Sequence, residues 1–431
     1  METAALSSPC PAGRTVAIAG GGVIGVCCAY YLAKRGARVT LLDRKAIGEG
    51  ASYGNAGSIA PGHAPINKPG QVSRALRSVF HPLSPLYIVP RPDLGLARWL
   101  WRFSRTCTHR HLEAAMRTIA PLGHATRELF DQLAEEENLE CGYRRDGYYE
   151  VYLTARGFEA GRREARLQAC YGFHPEVLSG DALREREPAL NREVVGGVFY
   201  PEAATVDPYR FVVELARRAE RRGATIRTEA QVARIRVNDR TACGLETRAG
   251  ELVEAEATVL AAGADSAALL RPLGVRLPLE AAKGYHRDCA SSATRPPMLR
   301  HACVLGENLV FCTPMSGFVR FAGTLEFSGL NREIRRPRLE QLTRAARRYL
   351  NTVEEATFRS EWCGLRPCLP DGLPAVGPVP PYRGLFLATG HAMMGLTLGP
   401  ITGKLIAETI LDGRPSLDIE AFCPGRFGRK P

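Results

Sequence analysis

Residues 16–33, VAIAGGGVIGVCCAYYLA, carry no charged side chain. An uncharged stretch of about 18 residues is long enough to cross a bilayer as a helix, so this run decides between a membrane anchor and something buried in a soluble core. The glycines settle it. Gly20, Gly21, Gly22 and Gly25 make a poor helix interior. Around them the pattern changes period: TVAIA is a β-branched strand, GGGVIG a tight turn, VIGVCCAYYLAKRG a helix closed by Gly36, and ARVTLLDR a second strand ending at Asp43. This is a β-α-β unit with the G-x-G-x-x-G spacing at Gly20, Gly22 and Gly25. The glycines let main chain approach a pyrophosphate at the N-terminus of the helix, where free N–H groups and the helix dipole favour an anion. Asp43, 23 residues after Gly20, stands where a carboxylate accepts hydrogen bonds from ribose hydroxyls. The run binds a dinucleotide.

The glycines do not separate NAD from FAD. An NAD domain continues with further β-α units, whereas here Gly48–Gly70, GEGASYGNAGSIAPGHAPINKPG, is a loop of small residues. Such a loop suits an extended cofactor, with Ser52, Asn55 and the main chain of Ala56 and Gly57 offering hydrogen bonds; the alternative is an ordinary surface loop. Two later segments, ATVLAAGADS and LFLATGHAMMGLTLGPITGKLIAETI, again place a glycine turn after an apolar strand. Three such turns suit a cofactor long enough to span several strand ends, which favours FAD.

The remaining composition bounds the alternatives. Length alone, 431 residues, predicts two domains or one domain with a lobe. The formal net charge of +12 admits RNA, DNA or anionic lipid as partners, but the arginines are scattered in short clusters without interleaved aromatics, as on a solvated surface. No nucleic acid is expected. The thirteen cysteines show no CxxC pair and no metal-ligand spacing, so reduced thiols, a cytoplasmic location and no metal are expected. Residues 1–13 lack the pattern of a secretory signal and read as a flexible tail.

Four stretches together resemble the FAD-dependent D-amino-acid oxidase superfamily. They are most similar to its bacterial branch of D-amino-acid dehydrogenases, glycine oxidases and hydroxyproline-pathway dehydrogenases. The stretches are GGGVIGVCCAYYLAKRGARVTLLDR, GASYGNAGSIAPG, WCGLRPCLPDGLPAVGP and TGHAMMGLTLGPITGKLIAE, in the family's order and across nearly the whole chain. PINKPG and GHAMMG depart from the D-amino-acid dehydrogenase pattern and lean toward the hydroxyproline or D-proline branch. The resemblance implies an α/β fold: a Rossmann-type FAD-binding domain of discontinuous segments (14–84, 196–275 and 356–431) and an α+β substrate lobe with a mainly antiparallel sheet (85–195 and 276–355). The expected FAD contacts are Gly20, Gly22, Val23, Ile24, Gly25, Asp43, Arg44, Ser52, Asn55, Ala56, Gly57, Val232, Ala262, Gly263, Gly390, His391, Met394, Gly395, Leu396 and Thr397.

The implied chemistry is oxidation of a D-amino or cyclic D-imino acid, D-proline or cis-4-hydroxy-D-proline favoured, by moving the Cα hydrogen as hydride to flavin N5. The substrate carboxylate must be held so that Cα faces the flavin, and a planar, always charged arginine suits that task. By resemblance to glycine oxidases, Arg366 in GLRP takes this role; the alternative is an arginine on a surface turn. Tyr285 in KGY is a second candidate, for a hydrogen bond to the carboxylate or as a roof to the site, the alternative being a core or surface tyrosine; His286 points to the opposite face if the segment is a strand. A glycine/sarcosine-type oxidase using oxygen, a flavin-dependent tRNA-modifying enzyme and an electron-transfer subunit remain alternatives. The electron acceptor (a quinone chain, a partner flavoprotein or oxygen) and peripheral membrane contact stay open.

Overall fold

Strand, glycine turn, helix and strand follow one another at Thr15–Ala19, Val23–Lys34 and Arg38–Leu42 in the computed structural model, which describes residues 13–78, 81–290, 298–351, 353 and 358–428. Most of the expected tail therefore lies outside the described residues. The first two strands pair in parallel, Ala17 opposite Thr40. They sit inside a six-stranded sheet with the order Ala375–Pro378, Leu385–Thr389, Ala257–Leu260, Thr15–Ala19, Arg38–Leu42, Thr225–Arg227. Only Ala375–Pro378 runs antiparallel to its neighbour. The first helix is apolar all round because it is covered on all sides: Cys27, Cys28, Tyr30 and Leu32 are wholly buried. Burying a leucine side chain contributes roughly 1.5–3 kcal/mol. Its neighbour is the helix Gly395–Leu411, and the two backbones touch at Gly403, whose missing Cβ would stand 2.5 Å from the main chain of Cys27.

The second large sheet has nine strands and is mainly antiparallel. From one side its order is Phe358–Cys368, Glu280–Ala290, Phe318–Phe327, Val310–Met315, Ala302–Leu305, Tyr148–Tyr152, Gly196–Tyr200 and Glu176–Ser179, with Leu86–Ile88 added in parallel to Phe318–Phe327. Two of these strands correct the expected division of the chain. Gly196–Tyr200 and Phe358–Cys368 fall in segments assigned to the cofactor domain, yet both pair in the lobe sheet. The sequence signal there was the motif at 362–378, which spans the passage from one sheet to the other. Helices Leu94–Thr106 and His109–Glu137 follow the short strand Leu86–Ile88, the first capped by Asp93, whose carboxylate accepts from Gly95 and Leu96 N–H. Trp99 of that helix donates its indole N–H to Cys368 O at 3.2 Å, so the helix backs directly onto the strand that carries Arg366.

Candidate active site

The glycine turn is shaped by collisions that any side chain would cause. Gly20 sits at φ +110°, and a Cβ there would lie 2.4 Å from Ala261 O; at Gly25 it would lie 1.8 Å from Gly20 O. Gly22 is different: its nearest neighbour would be Ser52 Oγ at 3.4 Å, an ordinary contact, so Gly22 leaves bare main chain facing a cavity. Asp43 receives the N–H of Gly21 on Oδ2 at 2.6 Å and that of Lys45 on Oδ1 at 2.8 Å. Each carboxylate oxygen keeps a lone pair for a further donor. Ser52 Oγ accepts from Val23 N–H at 3.0 Å and so ties the small-residue loop to the start of the helix.

A cavity of about 700 Å³ runs from this turn to the edge of the lobe sheet. Of the expected cofactor contacts, Gly20, Gly22, Val23, Ile24, Asp43, Arg44, Ser52, Asn55, Val232, Ala262, Gly263, His391, Gly395 and Leu396 line it. Helix N-termini at Val23 and Gly395, neither with a side-chain cap from its own N-cap residue, both face it, giving two positive dipole ends where an anionic cofactor would lie. The other expected contacts stand behind the wall. Gly25 is a packing residue. Gly57, at φ +75°, accepts Val206 N–H on its carbonyl, and Ala56 precedes it outside the lining. Gly390 is pressed against Leu369, its Cβ position 2.4 Å from Cδ1. Met394 is in the core, and Thr397 Oγ1 accepts Ala60 N–H at 3.1 Å. These residues shape the wall from outside. A dinucleotide fits the residues that remain: bare main chain at two helix ends and a carboxylate with lone pairs to spare.

At the lobe end lie Gly284, Trp362–Pro367, Arg332 and Ile334. Arg366 Nη1 donates to Thr324 O at 2.7 Å. Burial pulls its pKa below the ordinary arginine value, and no carboxylate among the described residues pairs with it. A desolvated guanidinium without a counter-ion, opening on a cavity, is an anion site. Gly284 makes its place: a Cβ there would lie 2.6 Å from Arg366 Cζ.

Tyr285 does not line the cavity, and this corrects its expected role. Gly284 and Tyr285 point to opposite faces of one strand, and Gly284 takes the cavity face. Tyr285 is buried in the lobe core and donates to Glu326 Oε2 at 3.0 Å. His286 returns to the cavity side but stands behind Trp362, stacked on it at 5.3 Å, with Nδ1 donating to Gly54 O at 3.1 Å. Burial lowers its pKa to about 4, helped by Arg320. His391 shares a hydrogen bond with Thr402 Oγ1 at 3.0 Å, and burial lowers its pKa to about 3. Both rings are neutral near pH 7. Arg320 joins the two halves of the site: it grips Asp288 at 2.8 and 3.0 Å and also reaches the carbonyls of Tyr53 and Asn55 at 3.2 and 3.1 Å. The sequence reading missed Gly284, Trp362 and Thr324; a lone glycine inside a strand was the one available signal, since it marks close approach of another group.

Among the described residues no cluster of His, Cys, Asp or Glu could hold a metal, and no helix is long and apolar enough to cross a membrane.

Comparison with known proteins follows the same lines. The family model described as "DAO: FAD dependent oxidoreductase" matches residues 15–409. The D-amino acid dehydrogenase of Methylobacterium nodulans is 33% identical over 418 residues, covering 96% of this chain and 99% of the relative. That of Agrobacterium fabrum is 31% identical over 419 residues, covering 96% and 99%. Among solved structures, glycine oxidase from Geobacillus kaustophilus superposes with a TM-score of 0.77 at 26% identity, over 96% of this chain and 99% of that one. L-proline dehydrogenase from P. horikoshii shares the fold, with a TM-score of 0.73 at 18% identity, over 97% and 99%.

Proposed function

Since the chain belongs to the DAO family of FAD-dependent oxidoreductases, we propose that it oxidises a D-amino acid or a cyclic D-imino acid to the corresponding imino acid. The observation that carries this reading is Arg366: a desolvated guanidinium with no carboxylate partner among the described residues, facing the same cavity as the glycine turn. FAD supplies the acceptor for the Cα hydrogen as hydride at N5. Gly20, Gly22, Val23, Ile24 and Ser52 would cradle its pyrophosphate, Asp43 its ribose, and the Gly395 helix end the flavin. The protein's own work is then positional. Arg366 fixes the substrate carboxylate, and Trp362, stacked on His286, closes that side of the cavity against water. Among the described residues no unpaired carboxylate lies at the Arg366 end of the cavity: Asp265 pairs with Arg44 at 2.8 Å, Glu361 with Arg287 and Arg336 at 2.6 Å each, and Asp43 and Glu49 belong to the glycine-turn end. The substrate amine therefore enters already neutral.

D-proline or cis-4-hydroxy-D-proline is the favoured substrate. GHAMMG puts the small side chain of Ala392 on the cavity wall, which leaves room for a ring at Cα. The relatives named D-amino acid dehydrogenase support the wider class, oxidation of a D-amino acid. A glycine- or sarcosine-type oxidase using oxygen is the second reading, favoured by the likeness to glycine oxidase.

For the electron acceptor we favour a membrane quinone, reached by peripheral attachment on the cytoplasmic side. Helix Leu94–Thr106 supports this: Leu94 and Trp101 are 77% and 61% exposed, among exposed Arg98, Arg102 and Arg105. Apolar anchors rimmed by arginine suit an anionic bilayer.

The test is anaerobic. D-proline, cis-4-hydroxy-D-proline, D-alanine, glycine and sarcosine are added separately to flavin-loaded protein, and bleaching of the oxidised flavin band is followed. Bleaching by a D-imino acid, abolished in Arg366→Ala with flavin retained, is expected. A fully loaded flavin that no amino acid bleaches refutes the reading.

A further inference from the structure

The carbonyl that holds Arg366 comes from a residue whose side chain disfavours its backbone conformation. Thr324 lies at φ +66°, in the left-handed region that β-branched residues almost never enter. The ladder around it shows how it is held there. Tyr285 pairs with Gly323 and Lys283 with Glu326, so two steps on one strand face three on the other, and the extra residue makes a bulge. Both flanks are pinned. On one side Gly323 lies against the main chain of Leu309, its Cβ position 2.8 Å from the carbonyl oxygen. On the other, Leu325 N–H donates to Pro85 O at 2.7 Å. Next to it Glu326, wholly buried, accepts from Tyr285 Oη at 3.0 Å and stands 3.5 Å from Lys283 Nζ and 3.6 Å from Arg338 Nε. The Thr324 hydroxyl is buried and has no hydrogen-bond partner, so the side chain does not account for the conformation. The consequence of the turn is the direction of the carbonyl, 2.7 Å from Arg366 Nη1.

We propose that Thr324 is a positioning residue for carboxylate recognition. The bulge aims its main-chain carbonyl at one Nη of Arg366 and fixes the guanidinium plane over Gly284, so that the remaining N–H groups face the cavity. Tyr285 serves the same device from one layer behind, by holding Glu326. This rests on the reading that Arg366 binds the substrate carboxylate.

The probe is propanoate, a carboxylate with no oxidisable amine, beside its neutral counterpart propanamide, each titrated calorimetrically into FAD-loaded protein. Thr324→Gly keeps the carbonyl and relieves the backbone, because glycine enters the left-handed region freely. Thr324→Pro cannot adopt a positive φ. The Pro variant should bind propanoate about tenfold or more weakly than the Gly variant, with propanamide affinity alike in both, and substrate KM should rise with it. The Gly variant should melt higher than wild type. Where Thr324→Pro does not take up flavin, deletion of Thr324, which restores an unbulged ladder, takes its place with the same expectation. Equal propanoate affinity in the Gly and Pro (or deletion) variants overturns the proposal, as does a lower melting temperature for the Gly variant. Arg366→Met separates the two levels. If it removes the preference for propanoate over propanamide while the Pro variant keeps it, only the positioning role fails; if it leaves the preference intact, the carboxylate reading fails and the proposal with it.

Discussion

Replacing Gly284 with alanine tests the anion site through a single methyl group. Gly284 has an ordinary extended backbone and is absent from the positive-φ positions, so alanine fits the main chain. Its Cβ, however, would lie 2.6 Å from both Cζ and Nη2 of Arg366, and 2.7 Å from Nη1. Non-bonded carbons rest at about 3.5–4.0 Å, so the guanidinium must retreat by roughly 1 Å. That is enough to break the 2.7 Å bond to Thr324 O and to move the substrate carboxylate off its place. A displacement of this size costs on the order of 100-fold in rate, or about 2.7 kcal/mol of transition-state stabilisation. The assay is anaerobic stopped-flow reduction of the flavin over a range of substrate concentrations, with flavin occupancy checked by absorbance. Gly50→Ala is the control, because a Cβ there meets nothing within 4 Å and its backbone is not left-handed. Gly284→Ala protein with full flavin and an unchanged kcat/KM would refute the geometry on which the site is built.

Three further outcomes follow from other parts of the site. Asp43→Ala leaves the N–H groups of Gly21 and Lys45 without acceptors and should weaken FAD binding by about tenfold, read by fluorescence titration of the apoprotein; unchanged affinity argues against a ribose contact. Arg320→Met leaves buried Asp288 without its ion partner, though Ser360 Oγ still donates to it at 2.8 Å, so it should destabilise by about 3–5 kcal/mol in denaturant melts, with earlier proteolytic cleavage near Tyr53–Asn55. His286 and His391 have folded pKa values of about 4 and about 3, below the ordinary 6.5. The unfolded chain thus binds the extra protons first, and stability is lost as pH falls from about 6.5 toward 4. Each histidine steepens the fall by up to about 1.4 kcal/mol per pH unit, and His391→Gln should remove one proton's share of that slope in melts between pH 6.5 and 4.5.

What the sequence made legible is what local pattern determines. Gly20 and Gly25 announce themselves because a strand-to-helix turn needs them, and Asp43 because the second strand ends where the first turn begins. The helix Gly395–Leu411 shows the same strand, glycine and helix order. The lobe end was less legible for a physical reason. Strand residues alternate faces, so KGY offered either Gly284 or Tyr285 to the cavity, and only the pairing with Phe358–Cys368 decides which. The fit of a glycine beneath Arg366 belongs to two strands about 80 residues apart in sequence. A bulge such as that at Thr324 leaves no mark in composition or period, since threonine is an ordinary strand residue. Met394, Gly390 and Thr397 sit in a motif that lines the cavity through His391, Ala392, Gly395 and Leu396, so the turn gives the cavity only some of its members.

The order in which the chain visits the two sheets has a consequence for dissecting the protein. It starts in the parallel sheet, passes through the lobe from Leu86 to Tyr200, and returns at Thr225–Arg227. It then enters the lobe again at Glu280 and comes back for good at Ala375. A cut within the second lobe passage therefore yields two fragments that each hold strands of both sheets, with Arg366 on one and the first glycine turn on the other. Neither fragment encloses the cavity. Such pieces can regain flavin only by reassembling with each other, which makes split expression a direct readout of whether the two sheets recognise one another without a continuous backbone.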